Sequence, residues 1–205
     1  TVISRSQLLR KLDTDIAEPF NALATERYTT HIGRTVASAE ETDTGITLTL
    51  DDGSAVTSEA LLIATGRVPN SDTLNVHAGG IKTHPDGRVA VDEYGRTSAD
   101  GVWSLGDLSS PYQLKHVANA EQRAVTHNVL ATWSGAEDSS LVPLPHDHVP
   151  SAIFTHPQIA TVGMTEQEAR DAGFDVTVKV QNYGDVAYGW SLEDSTGVVK
   201  LVADR

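Results

Sequence analysis

The 205-residue sequence contains no cysteine, which excludes a disulfide framework, a thiolate metal site and thiol catalysis within these residues. It has no apolar run near the roughly 20 residues that span a bilayer, so no membrane helix is expected. Positive charge is scarce: 15 Lys and Arg face 28 Asp and Glu, a net charge of -13, which argues against nucleic acid or an anionic membrane surface as main partner. There is no signal-peptide pattern, and a soluble, cytoplasmic protein is the expectation. No internal repeat, low-complexity tract, G-x-S-x-G elbow or G-x-G-x-x-G nucleotide fingerprint occurs. The chain opens directly on strand-like Thr1-Val2-Ile3-Ser4, so upstream sequence is expected to be missing.

What remains is long enough to bury a core, as one α/β domain or two small ones. Val2-Ile3 reads as a short buried strand. Asp13 is a plausible N-cap for a helix with Ile16, Phe20 and Leu23 at helical spacing, and Pro19 is tolerable only near its first turn. Three β-rich runs, Tyr28 to Ile32, Thr35 to Ala39 and Ile46 to Leu50, are separated by Gly33-Arg34 and Asp43-Thr44-Gly45, with Asp51-Asp52-Gly53 after the third. They predict an antiparallel meander. Glu59 to Ala64 is continuously apolar after its first residue, as in a central strand. Thr65 to Asn70 then breaks the pattern with Gly66 and Pro69.

Short strands are predicted at Arg88 to Val91 and Val102 to Leu105. The second delivers one carboxylate, Asp107, at its C-terminal end, where open α/β folds bind ligands. Leu114, Val117, Ala118, Ala124, Val125 and Val129 mark one face of a long helix to about Thr132. Residues Ser134 to Pro150 read as a linker rich in Ser, Pro and acids. Beyond it come strands at Ser151 to Phe154, Ala160 to Val162, Phe174 to Val180 and Val198 to Val202, with a capping-box helix start at Thr165 to Glu168.

Four motifs stand in order along this frame: Ala64-Thr65-Gly66-Arg67-Val68-Pro69-Asn70, Val89 to Thr97, Val102-Trp103-Ser104-Leu105-Gly106-Asp107, and Phe154-Thr155-His156-Pro157 to Gly163. Together they resemble the pyridine nucleotide-disulfide oxidoreductases, the flavoprotein reductases that include glutathione reductase and lipoamide dehydrogenase. Tyr183 to Trp190 and Leu114 to Asn119 resemble the mycothione-reducing branch.

The resemblance implies parts of NAD(P)- and FAD-binding doubly wound α/β domains plus the start of an α+β interface domain. Residues 1–70 would be the later part of the NAD(P) domain, 71–144 the return segment of the FAD domain, and 145–205 the first part of the dimerisation domain. It further implies FAD and NADPH as cofactors, a low-molecular-weight disulfide as substrate, and a homodimer. The FAD fingerprint, the redox cysteine pair and the C-terminal His-Glu pair of the family are absent, so a fragment inactive by itself is expected. A lipoamide dehydrogenase, another family reductase or a non-catalytic dimerisation module remain open readings.

By the same resemblance, Asp107 after Gly106 would accept a hydrogen bond from a flavin ribityl hydroxyl; alone, the pair is an ordinary turn. Leu114, Lys115, His116 and Val117 open the following helix, whose free amides suit the flavin N1/C2 carbonyl region. Ser4, Arg5 and Arg10 follow a nucleotide-domain strand; two arginines and no acid between positions 3 and 10 favour NADPH over NADH. Gly66 and Arg67 would close the NAD(P) domain, Gly66 allowing close backbone approach to the nicotinamide. His156-Pro157 reads as a turn rather than the family's catalytic His. His146-Asp147-His148 offers two metal ligands and no third, and reads as a solvated loop.

Overall fold

A computed structural model describes residues 1–43 and 45–205. The described residues form two compact units, one built from residues 1–63 and 152–205 and the other from 64–151. Helices and strands are mixed in the first, while the second is loop-rich around one long helix.

Strand β1, Val2–Ser4, is half-buried rather than buried, because among the described residues its only strand neighbour is the three-residue β2, Thr30–Ile32, paired in parallel. Between them lies helix α1, Thr14–Arg27. Asp13 caps it as predicted, accepting the Asp15 amide at 3.1 Å. The deepest residues of α1 are Ala17 and Ala24, with Ile16, Phe20 and Leu23 half-buried beside them. Pro19 sits beyond the first turn, where it deprives only the Asp15 carbonyl of its helical partner.

The meander exists, with different members. Strands β3, Val36–Thr42, β4, Gly45–Leu50, and β5, Ala55–Ser58, pair antiparallel in that order. The run Tyr28 to Ile32 belongs instead to the parallel pair, and β5 has no counterpart among the predicted strands. Residue 44 of the predicted Asp43-Thr44-Gly45 turn lies outside the described residues. Glu59 to Ala64 is not a strand: no described strand pairs with it, and Leu62 and Ile63 are 87% and 72% exposed. Apolar composition permits a buried strand, but a ladder needs a neighbour to bond.

In the second unit, the predicted strands at Arg88 to Val91 and Val102 to Leu105 reduce to single bridges, Thr83 with Val89, Val91 with Thr97 and Arg96 with Trp103. Side chains and turns take the backbone groups that a ladder would use. Asp92 Oδ1 accepts the amides of Tyr94 and Arg96 at 3.0 and 2.9 Å, and the Ser104 amide donates to the Gly95 carbonyl at 3.0 Å. Gly95 has φ +91°, and a Cβ there would meet Val125 at 2.8 Å, so this loop packs its bare backbone on the long helix.

That helix is α2, Lys115–Trp133. It buries Val117, Ala124 and Val125 as the apolar face predicts, but Glu121 and Asn128 with them. The stretch 134–150 is not a free linker. Val142 and Leu144 are bonded to Asn128 and to the Glu93 carbonyl, and Leu141 is buried. Composition marked this stretch as polar, while its tethers come from residues far away in sequence.

The remaining elements are the paired strands β6, Ser151–Ile153, and β7, Ile159–Thr161, then helix α3, Glu166–Asp171, strand β8, Val176–Asn182, helix α4, Ala187–Ser191, and strand β9, Val198–Asp204. The capping box of α3 is formed by Thr165 and Glu168 as predicted. Strands β8 and β9 pair antiparallel over all seven residues. Within the first unit, Lys200 on β9 reaches Asp13 and Asp15 at 2.6 Å and Glu166 at 2.7 Å. Asp13 also accepts the Glu166 amide at 3.0 Å, so one carboxylate serves the starts of α1 and α3. Among the described residues no helix is long and apolar enough to cross a membrane.

Candidate cofactor site

Asp107 does not end a regular strand. It lies in a short 3-10 turn, Gly106–Leu108, entered at Gly106 with φ +68°, a conformation that favours glycine. The Gly106 carbonyl accepts the amides of Ser109 and Ser110 at 2.9 and 2.7 Å, and the Leu108 carbonyl accepts that of Val89 at 2.9 Å. The turn is therefore held by main-chain bonds, while the Asp107 side chain is 58% exposed.

Arg67 is brought to the same place. Its Nη1 stands 3.4 Å from Asp107 Oδ2 and donates to the Gln113 carbonyl at 3.2 Å. Gln113 turns at φ +46° into Leu114, the extended N-cap residue of α2. Among the described residues no side chain caps this helix, and its first turn holds no acid. The amides at Lys115, His116 and Val117 are thus the orphan donors of a 19-residue helix, carrying the positive end of its dipole. Val117 is buried, Lys115 and His116 are exposed, and the His116 Nε2 takes the Pro150 carbonyl at 2.9 Å. An exposed carboxylate acceptor, fixed by an arginine, next to uncapped amides is a donor set suited to a ligand with both hydroxyl and carbonyl groups.

Gly66 precedes Arg67 with φ +148° and open space around its α-carbon. Both belong to the second unit with Asp107, whereas Ser4, Arg5 and Arg10 belong to the first. Ser4 ends β1, and its carbonyl accepts the amides of Gly33 and Arg34 at 2.8 and 3.1 Å. Arg5 and Arg10 are exposed and make no ion pair among the described residues. Their loop is fixed by Asn21 of α1, whose side chain accepts the Leu8 amide and donates to the Leu8 carbonyl, both at 2.8 Å.

Sequence reasoning missed Asn21 and Glu121, and it read His146 as part of a solvated loop, whereas its ring bonds the buried Glu121. Glu121 accepts the Gly106 amide on Oε2 and bonds His146 Nε2 through Oε1, both at 2.6 Å. The available signal was a carboxylate and an amide, Glu121 and Asn128, at helical spacing inside the apolar face of α2. His146 is thereby engaged with a carboxylate, and among the described residues no group of three metal-binding side chains comes together.

Comparison with known proteins agrees with this frame. The chain matches the family model for pyridine nucleotide-disulphide oxidoreductases over residues 1–124, and the dimerisation domain of the same family over residues 149–205. It is 49% identical over 204 residues to mycothione reductase of Mycobacterium tuberculosis, covering 100% of this chain and 44% of that protein. It is 32% identical over 209 residues to a mercuric reductase of Lysinibacillus sphaericus, covering 100% of this chain and 37% of that one. A solved structure of the HOCl-induced flavoprotein disulfide reductase RclA from Escherichia coli, a Cu(II) complex, superposes with a TM-score of 0.83 at 25% identity, covering 100% of this chain and 45% of that one. The chain thus spans less than half the length of these relatives. With its model matched over most of the residues and the relatives oxidoreductases of one type, the chain belongs to the pyridine nucleotide-disulphide oxidoreductase family.

Proposed function

We propose that this chain is part of an FAD-containing, NADPH-dependent disulfide reductase acting on mycothione, a homodimer of the cytoplasm. Residues 1–70 are assigned to its NAD(P) domain, 71–144 to the return segment of its FAD domain, and 145–205 to its dimerisation domain. The observation that carries the reading is the juxtaposition of Arg67, Asp107 and the uncapped start of α2. The 49% identity to a mycothione reductase supports the substrate.

The residues present fit a flavin. Asp107 is free to accept a hydrogen bond from a ribityl hydroxyl, since a carboxylate has acceptor capacity beyond the single Arg67 contact. The α2 amides at Lys115, His116 and Val117 would donate to the carbonyl edge of the ring, and the Lys115 ammonium adds positive potential there. Bound FAD supplies the chemistry of taking a hydride from NADPH and passing two electrons to a cysteine pair. That pair lies outside these 205 cysteine-free residues, so this chain binds and orients rather than reduces. Arg5 and Arg10 would face the 2′-phosphate of NADPH, on a loop held by Asn21.

The test is expression of the complete reading frame around this chain. The expected protein is yellow, absorbs near 450 nm, and oxidises NADPH with mycothiol disulfide faster than with glutathione disulfide or lipoamide. A colourless protein of confirmed intact mass would refute the flavin reading, and preference for another disulfide would refute the substrate alone.

A further inference from the structure

Glu121 is 1% exposed on a helix face whose other buried residues are apolar except for Asn128. Burying a carboxylate costs several kcal/mol of lost hydration, so the position calls for compensation by charge-assisted bonds. Both oxygens have such partners. Oε2 takes the amide of Gly106, the pivot at which the chain turns into Asp107, and Oε1 takes His146 Nε2, each at 2.6 Å. His146 is in turn held by Tyr112. The two rings meet edge to face at 5.2 Å, and the Tyr112 hydroxyl donates to the His146 carbonyl at 3.1 Å. Tyr112 lies just ahead of Gln113 and Leu114, where Arg67 bonds and α2 begins. A single buried carboxylate thus joins the turn that carries Asp107 to the segment that leads into the helix amides.

We infer that Glu121, clamped by His146, is a positioning residue of the flavin site: it sets the Gly106–Asp107 turn so that the Asp107 carboxylate and the α2 amides address one ligand. This rests on the flavin reading above and adds residues to it that do not themselves touch the cofactor. The bond to Gly106 fixes the rotation of one peptide, and the neighbouring carboxylate follows. Glutamine keeps an acceptor for the Gly106 amide and can offer its N–H to an unprotonated His146 nitrogen; leucine keeps the volume and neither bond.

The experiment is a double-mutant cycle in the complete reductase, reading the Kd of the apo-protein for FAD by fluorescence quenching and the visible circular dichroism of bound flavin. Glu121→Leu is expected to raise the Kd about tenfold or more and to alter the dichroism, with Glu121→Gln staying within about threefold of wild type. Glu121→Leu and Asp107→Ala together are expected to cost clearly less than the product of their separate effects, because a misplaced Asp107 has little left to lose. A merely structural Glu121 would instead lower the thermal midpoint of the apo-protein and multiply fully with Asp107→Ala, and that outcome overturns the inference. Wild-type affinity in Glu121→Leu overturns it as well. Should Glu121→Leu not fold, the same cycle with His146→Leu decides, with the same less-than-multiplicative loss expected. Wild-type protein that takes up no FAD removes the flavin reading itself, a result distinguishable from failure of the clamp alone.

Discussion

Arg67 Nη1 lies 3.4 Å from Asp107 Oδ2, with both side chains more than half exposed. An ion pair so open to water contributes about 0–1 kcal/mol to folding. Its consequence is directional. The guanidinium, also bound to the Gln113 carbonyl, fixes the carboxylate against the entry to α2, where the unpaired amides begin.

Asp107→Ala in the complete reductase is therefore expected to leave stability within about 0.5 kcal/mol while weakening FAD binding. A hydrogen bond to a charged group is worth about 1.5–3 kcal/mol, so the Kd should rise roughly 10- to 150-fold. Arg67→Ala should do less, since it loosens the acceptor without removing it. Flavin titration of the apo-proteins, with urea denaturation alongside, separates the two quantities.

The sequence made legible what is encoded over a few neighbouring residues. The Asp13 cap, the Thr165–Glu168 capping box and the apolar face of α2 stand where local chemistry placed them. Glu59 to Ala64 misled because a strand is a relation between segments, and apolar residues do not name their partner. The polar centre of the second unit was invisible for a related reason. Glu121 meets Gly106 and His146, 15 and 25 residues away, and only an unexplained acid on an apolar face hinted at it. Lys200 is more remote still, 187 residues from Asp13. The Asp107 site fell between these cases: its residues were legible as motifs, while its pairing with Arg67 required the fold.

Lys200 should dominate the cohesion of the first unit. Its side chain is 5% exposed and bound to three carboxylates. Burial pushes the ammonium down, but Asp13, Asp15 and Glu166 outweigh it and hold Lys200 above its usual range. Lys200→Met is expected to cost about 2–3 kcal/mol, less than the ~3–5 of a fully buried pair because Asp15 is half exposed. Burial opposes ionisation of Asp13, yet the Lys200 bond and the amides of Glu166 and Asp15 leave it below its ordinary 3.8. Bonds from Lys200 and Arg170 likewise lower Glu166 from 4.5. The acidic contribution is then complete above about pH 4.5 and fades as pH falls through the depressed values, whereas the lysine contribution is complete below its ordinary 10.5. Urea midpoints of wild type and Lys200→Met should differ by a constant amount from about pH 5 to 10 and converge in acid.

Asn128 should prove as important to the second unit. It is 0% exposed, donates to the carbonyls of Tyr94 and Val142 at 2.9 and 2.8 Å, and accepts the Val142 amide at 2.8 Å. Asn128→Leu would strand three part-buried backbone groups, the Tyr94 carbonyl and both backbone groups of Val142, at about 1 kcal/mol each, the low end of the ~1–3 kcal/mol for a fully buried unpaired group. A loss of about 3 kcal/mol or more is expected in urea denaturation. Protease cleavage in the stretch 134–145 should also accelerate, because the Val142 tether is gone. Asn128→Asp should fail similarly, since a carboxylate has no N–H to give to the two carbonyls.

Arg5 and Arg10 supply the last prediction, on nucleotide choice. Both are exposed on a loop after β1 that Asn21 pins through Leu8, and neither is engaged in an ion pair among the described residues. Exposed arginines held on an anchored loop can form charge-assisted bonds to a phosphate without first breaking another pair. In the complete reductase, Arg5→Ala with Arg10→Ala should raise KM for NADPH about 10- to 100-fold, at roughly 1.4 kcal/mol per tenfold, and leave KM for NADH within about threefold. Asn21→Leu should reproduce part of the NADPH effect, since it frees the loop while keeping both charges. Steady-state kinetics with the two nucleotides provide the check. Equal losses for NADPH and NADH would show that these arginines do not read the 2′-phosphate, and a change confined to kcat would place their effect after nucleotide binding.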